Sequence, residues 1–235
     1  MLKLKQRFQY DPSLMLYLPL YELDGAKIMS RDGYGTLCTV TGAMWTPQGH
    51  KFDGVDDNIN CGNDDRIAYL PNGFTFNVWV NFSALDGVTN HMIVAVDSTA
   101  SPGRQWELIR LGGDGGRLTF YVIKADGTAY IGRKMSTASA LVVGEWAMLT
   151  GVWDGGTTTA SIKVYKNGVQ VDDTDFISGT FTGITDTGSN FTIGAGHGGV
   201  AFTPATIGEV EEWRKSVTLP EIQQIYLETK EMYQG

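Results

Sequence analysis

Residues 51–62 read KFDGVDDNINCG, and that stretch decides the fold. Lys51 and Phe52 form the end of one strand, Asp53 to Asp57 a tight acidic turn, and Asn58 to Cys61 the start of another strand. Gly54 can take positive φ at no steric cost, and an Asp side chain can bond the backbone just after it, so both suit a turn. The flanking residues alternate apolar and polar, as a half-buried strand does.

The same grammar extends outward. Phe74–Phe82 (FTFNVWVNF) sets Phe74, Phe76, Val78, Val80 and Phe82 on one face and Thr75, Asn77, Trp79 and Asn81 on the other. The first face is expected in the core, and the second as a partly open sheet surface. Further strands are expected at 91–96, 105–111, 117–123, 129–133, 146–153, 161–166 and 191–195, with turn signals such as GGDGG and KNG between them. Asn167-Gly168 satisfies the positive φ angles of a type I′ hairpin turn. Upstream, 14–20 and 36–41 read as strands. Residues 1–10 (MLKLKQRFQY) read as a solvated arm or edge strand, or as a tether to a neighbouring subunit.

The last strand, 206–214, leads into a helix expected at 219–231. Thr218 and Glu221 make a capping box, Pro220 fits the first turn, and Leu219, Ile222, Ile225, Tyr226 and Thr229 form an apolar stripe that should pack on the sandwich. Regularly spaced strands without alternating helices imply an all-β fold. The expected fold is an antiparallel two-sheet jelly-roll sandwich with one short C-terminal helix, a single domain over 11–235 after an arm at 1–10.

Composition narrows the partners. The chain has 235 residues, 42% of them hydrophobic, with 30 Gly for its turns, enough for one large β domain. A net charge of −8, from 18 basic and 26 acidic residues, argues against nucleic acid and anionic lipid. No apolar run approaches the roughly 20 residues of a membrane helix. Residues 13–20 (SLMLYLPL) are short, broken by Pro19 and lack a cleavage site, so they are not read as a signal peptide. Export, if any, is expected to use another route, or the chain to be released with a larger particle such as a virion or an extracellular assembly. Cys38 and Cys61 are too few for a metal site alone; they are either buried free thiols or a disulfide.

FDGVDD with INCG, then FTFNVWV, GEWAMLTGVWDGG, KVYKNGV, FTIGAG and IGEVEEW with TLPEI, in that order, resemble the concanavalin A-like lectin/glucanase superfamily in its laminin-G-like form. The resemblance runs from about Asp11 to Tyr226. It implies a concave and a convex sheet, with members that bind carbohydrate or protein and branches that hydrolyse glycans. Fold analogy alone assigns no function.

Glycan hydrolysis uses two carboxylates, about 5–5.5 Å apart for retention and roughly 6.5–9.5 Å for inversion. The resemblance places them on one strand, where this chain has Glu209, Glu211 and Glu212 and then Trp213 or Arg214 at the third position. Neither Trp nor Arg can act there as nucleophile or acid. Glu212 shares a face with Val210, where a core residue is usual. His50, His91 and His197 are isolated, and no G-x-S-x-G, H-E-x-x-H or P-loop pattern occurs. Gly112 to Gly116 reads as a hairpin turn, not a phosphate cradle.

Asp53, Asp56 and Asp57 offer hard oxygens to Ca²⁺ or simply form their turn; Asp172, Asp173 and Asp175 read as turn acids. Calcium-binding members often carry an Asp where this chain has Gly208, which removes a ligand. Asn77, Trp79, Asn81, Tyr165, Glu209, Glu211 and Trp213 could share the concave sheet and bind sugar, or the Trp residues could pack beneath the C-terminal helix. The expected function is a non-enzymatic, lectin-like module binding a glycan. The alternatives are a structural or decoration protein of a virion or surface assembly, homo-oligomeric or larger and acting through protein contacts, and a glycoside hydrolase.

Overall fold

The computed structural model describes residues 11–22, 25–98, 103–137, 140–196 and 200–235. The arm expected at 1–10 and His197 lie outside the described residues. In chain order the strands are β1 (Leu14–Pro19), β2 (Lys27–Met29), β3 (Leu37–Thr41), β4 (Met44–Thr46), β5 (Gly49–Asp53) and β6 (Asn58–Asn60). After the single-turn helix α1 (Asp65–Ala68) come β7 (Phe74–Phe82), β8 (His91–Val96), β9 (Trp106–Leu111), β10 (Arg117–Ile123) and β11 (Tyr130–Met135). They are followed by β12 (Trp146–Trp153), β13 (Ile162–Lys166), β14 (Val169–Gln170), β15 (Asp172–Ser178), β16 (Phe191–Ile193), β17 (Pro204–Trp213) and helix α2 (Leu219–Gln234).

Two antiparallel sheets face each other. The first runs β14-β13-β12-β7-β17-β5-β4, with β1 also on β17; the second runs β15-β11-β10-β9-β8-β16-β6-β3-β2. β5 lies in the first and β6 in the second, so the acidic turn at 54–57 is a corner between sheets, not a hairpin tip. Gly54 takes φ +82° there, and a Cβ on it would meet Pro204 at 2.9 Å. Phe74, Phe76, Val78, Val80 and Phe82 all enter the core, as their alternation requires. Across the core from β7, the Phe76 ring stacks on Trp106 at 5.3 Å and meets Phe120 edge-on at 4.9 Å, which ties the two sheets together.

Three expectations change. The polar face of β7 is not open: Thr75, Asn77 and Trp79 are buried and only Asn81 is half-buried. Asp172, Asp173 and Asp175 do not form a turn but belong to edge strand β15, where Asp172 and Asp175 pair with Arg133 and Asp173 with Arg117. The C-terminal helix starts where its capping box places it, with Thr218 N–H donating to Glu221 Oε2 at 2.7 Å, but runs on to Gln234. Among the described residues no helix is long and apolar enough to cross a membrane.

Candidate functional site

The residues singled out on the first sheet do come together. Antiparallel register lines up Tyr17, Glu211, Asn77, Thr150 and Tyr165 across β1, β17, β7, β12 and β13 in one polar row. Asn77 Nδ2 donates to Glu211 Oε2 at 3.3 Å, and the Thr150 hydroxyl donates to Asn77 Oδ1. A bulge between Ile207 and Val210 resets the alternation of β17. Beyond it Glu209, Glu211 and Trp213 face outward, while Val210 and Glu212 are fully buried on the core side.

That outward face is roofed by α2, which corrects the expectation of an open sugar-binding surface. Ile222, Ile225 and Tyr233 of the helix are buried in one cluster with Tyr17, Trp79, Trp146, Tyr165 and Trp213. Trp79 stacks on Tyr233 at 4.5 Å and on Tyr226 at 6.0 Å, and its indole N–H donates to Thr229 Oγ1 at 2.9 Å. Gly208 is what lets the roof close. A Cβ at that position would lie 2.3 Å from the Tyr233 ring. The residue that looked like a lost metal ligand is the seat of an aromatic ring.

Glu209 and Glu211 are only 4% and 5% exposed. Burial first, then the neighbouring Glu209, pushes the Glu211 carboxyl well above the usual range. Burial and Glu209 also raise the phenols of Tyr17 and Tyr233. The row is a buried, hydrogen-bonded layer beneath a helix, and a polysaccharide has no direct approach to it. Asn81, at its margin, donates to Gly144 O at 3.1 Å.

The second sheet carries a different outward face. Glu107, Tyr121, Gly132 and Phe176 align across β9, β10, β11 and β15. Gly132 has no room for a Cβ, which would lie 2.3 Å from Tyr121 Cβ. Tyr121 and Phe176 therefore meet across it, with centroids 5.1 Å apart and planes at 89°. Tyr130 stacks on Phe176 at 4.6 Å, and Lys134 Nζ stands 4.7 Å over the Phe176 ring. Tyr130 and Phe176 are both half-exposed, so together they form an apolar ledge that solvent can reach.

Polar groups stand beside that ledge. The Tyr121 hydroxyl donates to Glu107 Oε2, Arg104 Nη2 donates to Glu107 Oε1 at 2.6 Å, and Arg104 Nε donates to Asp97 Oδ1 at 3.1 Å. Burial and the Asp97 carboxylate push Glu107 up to about 7, against the pull of Arg104. The Arg104 side chain is 41% exposed, so part of its donor fork faces solvent. Sequence reasoning missed this cluster because reading 172–175 as a turn removed Phe176 from any sheet. A signal was present: Glu107 is a lone acid inside the apolar run WELIRL.

The acids Asp53, Asp56 and Asp57 do gather, with one oxygen from each within 4.8 Å of the others. Two of their oxygens serve the corner. Asp53 Oδ1 accepts from Val55 N at 2.7 Å, and Asp57 Oδ2 accepts from Asp53 N at 2.7 Å. Asp57 Oδ1 presses on Gly42, where a Cβ would be 1.8 Å away. Ca²⁺ takes roughly six to eight oxygens, and this set falls short of them. The arrangement fits turn-forming acids.

A family model described as the concanavalin A-like lectin/glucanases superfamily matches residues 53–223. A search of curated proteins finds no match. Among solved structures, the receptor-binding domain of botulinum neurotoxin C/D mosaic serotype aligns at TM-score 0.66 and 13% identity, over 92% of this chain and 51% of that one. The botulinum neurotoxin type G receptor-binding domain gives 0.65 and 14%, over 92% and 51%. A Trypanosoma rangeli sialidase, in complex with 2,3-difluorosialic acid as a covalent intermediate, gives 0.63 and 15%, over 95% and 34%. The chain thus spans about half the length of the toxin domains it matches. At such identities the likeness is one of fold.

Proposed function

The chain belongs to the concanavalin A-like lectin/glucanase superfamily, and from that premise we propose that it is a non-enzymatic recognition module that binds carbohydrate on the outward face of its second sheet. The observation that carries this reading is the half-exposed Tyr130–Phe176 stack beside Glu107, Tyr121 and Arg104. A pyranose presents C–H groups on its faces and hydroxyls at its rim. An aromatic ledge takes the first, and the partly exposed Arg104 guanidinium, held in place by the buried Glu107 and Asp97 carboxyls, orients the second. The matched toxin structures are receptor-binding domains, which agrees with a binding role. The roof over Glu209 and Glu211 argues against glycan hydrolysis at that pair, because a substrate must first displace α2.

Titration calorimetry against neutral oligosaccharides, guided by a glycan array, tests the proposal. Wild type should bind at millimolar concentration or tighter. Tyr130→Ala and Phe176→Ala should each weaken binding at least about tenfold, or roughly 1.4 kcal/mol, and leave the near-ultraviolet circular dichroism of the core unchanged. No glycan bound at millimolar concentration, or wild-type affinity in both variants, would overturn it.

A further inference from the structure

β3 and β6 pair antiparallel with Thr39 opposite Asn60, so the same register, continued one residue outward, sets Cys38 opposite Cys61. Both side chains point into the core, at 0% and 3% exposure. Both are free thiols, and Cys38 stands close enough to Cys61 to push its thiol up. Opposite residues of an antiparallel pair have Cα atoms about 4.5–5.5 Å apart, inside the roughly 4.4–6.8 Å that a disulfide spans. Opposite placement, a shared inward direction and proximity are the geometric requirements for a bridge.

We propose that Cys38 and Cys61 form a cross-linking site, closed to a disulfide when the chain folds in the presence of a small-molecule disulfide such as oxidised glutathione. One cysteine thiolate attacks a sulfur of the small disulfide; a mixed disulfide forms and one small thiolate leaves. The second cysteine thiolate attacks the protein sulfur of that mixed disulfide, the Sγ–Sγ bond forms, and the second small thiolate leaves. The small thiolates take up the two protons given up by Cys38 and Cys61, so two protein thiols are oxidised and one small disulfide is reduced to two thiols.

The thiolate is the attacking species. In the folded chain burial pushes the Cys61 thiol well up, with Cys38 and Glu212 adding to the effect. The bond therefore forms while the strands are assembling, before the core excludes the oxidant. The loop it closes, residues 38–61, contains β4 and β5, which belong to the opposite sheet. The cross-link fastens the corner where the chain passes from one sheet to the other.

The full chain, reduced and unfolded, is refolded with oxidised and reduced glutathione in parallel with a refolding in excess reductant. The expected result is an intact mass about 2 Da lower in the first sample, no thiol alkylated after denaturation, and a melting temperature roughly 5–10 °C higher. Cys38→Ala and Cys61→Ala chains should melt at one temperature in both buffers. An unchanged mass with two alkylatable thiols, glutathione adducts, or dimers linked through sulfur would overturn the site. Oxidation of the already folded, reduced chain as fast as of the refolding chain would overturn the order of events.

Discussion

Glu212 lies wholly inside the core, and neither of its carboxyl oxygens has a hydrogen-bond partner among the described residues. Burial pushes its carboxyl well above the usual range, against the pull of Arg214. The sign of the pH effect follows. The folded chain keeps this proton where the unfolded chain releases it, so the folded state binds more protons and stability falls as pH rises above about 4.5. Glu212→Met replaces the acid with a side chain of similar volume. It should stabilise the protein by about 1–3 kcal/mol at pH 7 and by less at pH 4. Urea unfolding at both pH values checks this; an equal gain at the two would show that ionisation plays no part. Alternation in the sequence already put Glu212 on the face of Val210. That the acid would lack a partner there was not legible, because its surroundings come from β1, β7 and the opposite sheet.

At the scale of elements, α2 and its seat on β17 determine each other. The capping box, Pro220 and the stripe through Thr229 were readable from the sequence. The last turn was not extended far enough, although Tyr233 continues the stripe four residues after Thr229. Gly208 could be understood only from the helix that covers it. Gly208→Ala should displace the Tyr233 ring and cost about 1–3 kcal/mol by overpacking, with faster protease cleavage near the C-terminus. In a Tyr233→Ala background the same change should be close to neutral, because the clash is gone and the two effects do not add. Full additivity in a double-mutant cycle would refute the pairing. β15 shows the opposite failure. Its acids look like turn residues, yet at a sheet edge they are strand residues paired with Arg133 of β11 and Arg117 of β10, Asp173 and Asp175 exposed and the Asp172 side chain buried.

Across the whole molecule, period-two patterning was enough to identify two layers around one core, because every strand must bury one face. It could not say what meets the other faces, since that depends on which element happens to lie over each sheet. Here one outward face is roofed by a helix and the other keeps an aromatic ledge. The roof is held by Ile222, Ile225 and Tyr233, by Thr229 on Trp79, and by Gln234 Nε2 donating to Trp146 O at 2.7 Å. The sandwich is held by a much larger cluster drawn from both sheets. α2 should therefore open as a unit of lower stability than the strands beneath it. Hydrogen exchange on the intact chain should show α2 amides exchanging while those of β7, β12 and β17 remain protected. Adding a bound oligosaccharide should then slow exchange in β10, β11 and β15 and leave α2 unchanged, because the ligand sits on the far sheet. Slowing confined to β7 and β17, with α2 exchanging faster, would mean that sugar displaces the helix and that the carboxylate row beneath it is the true site.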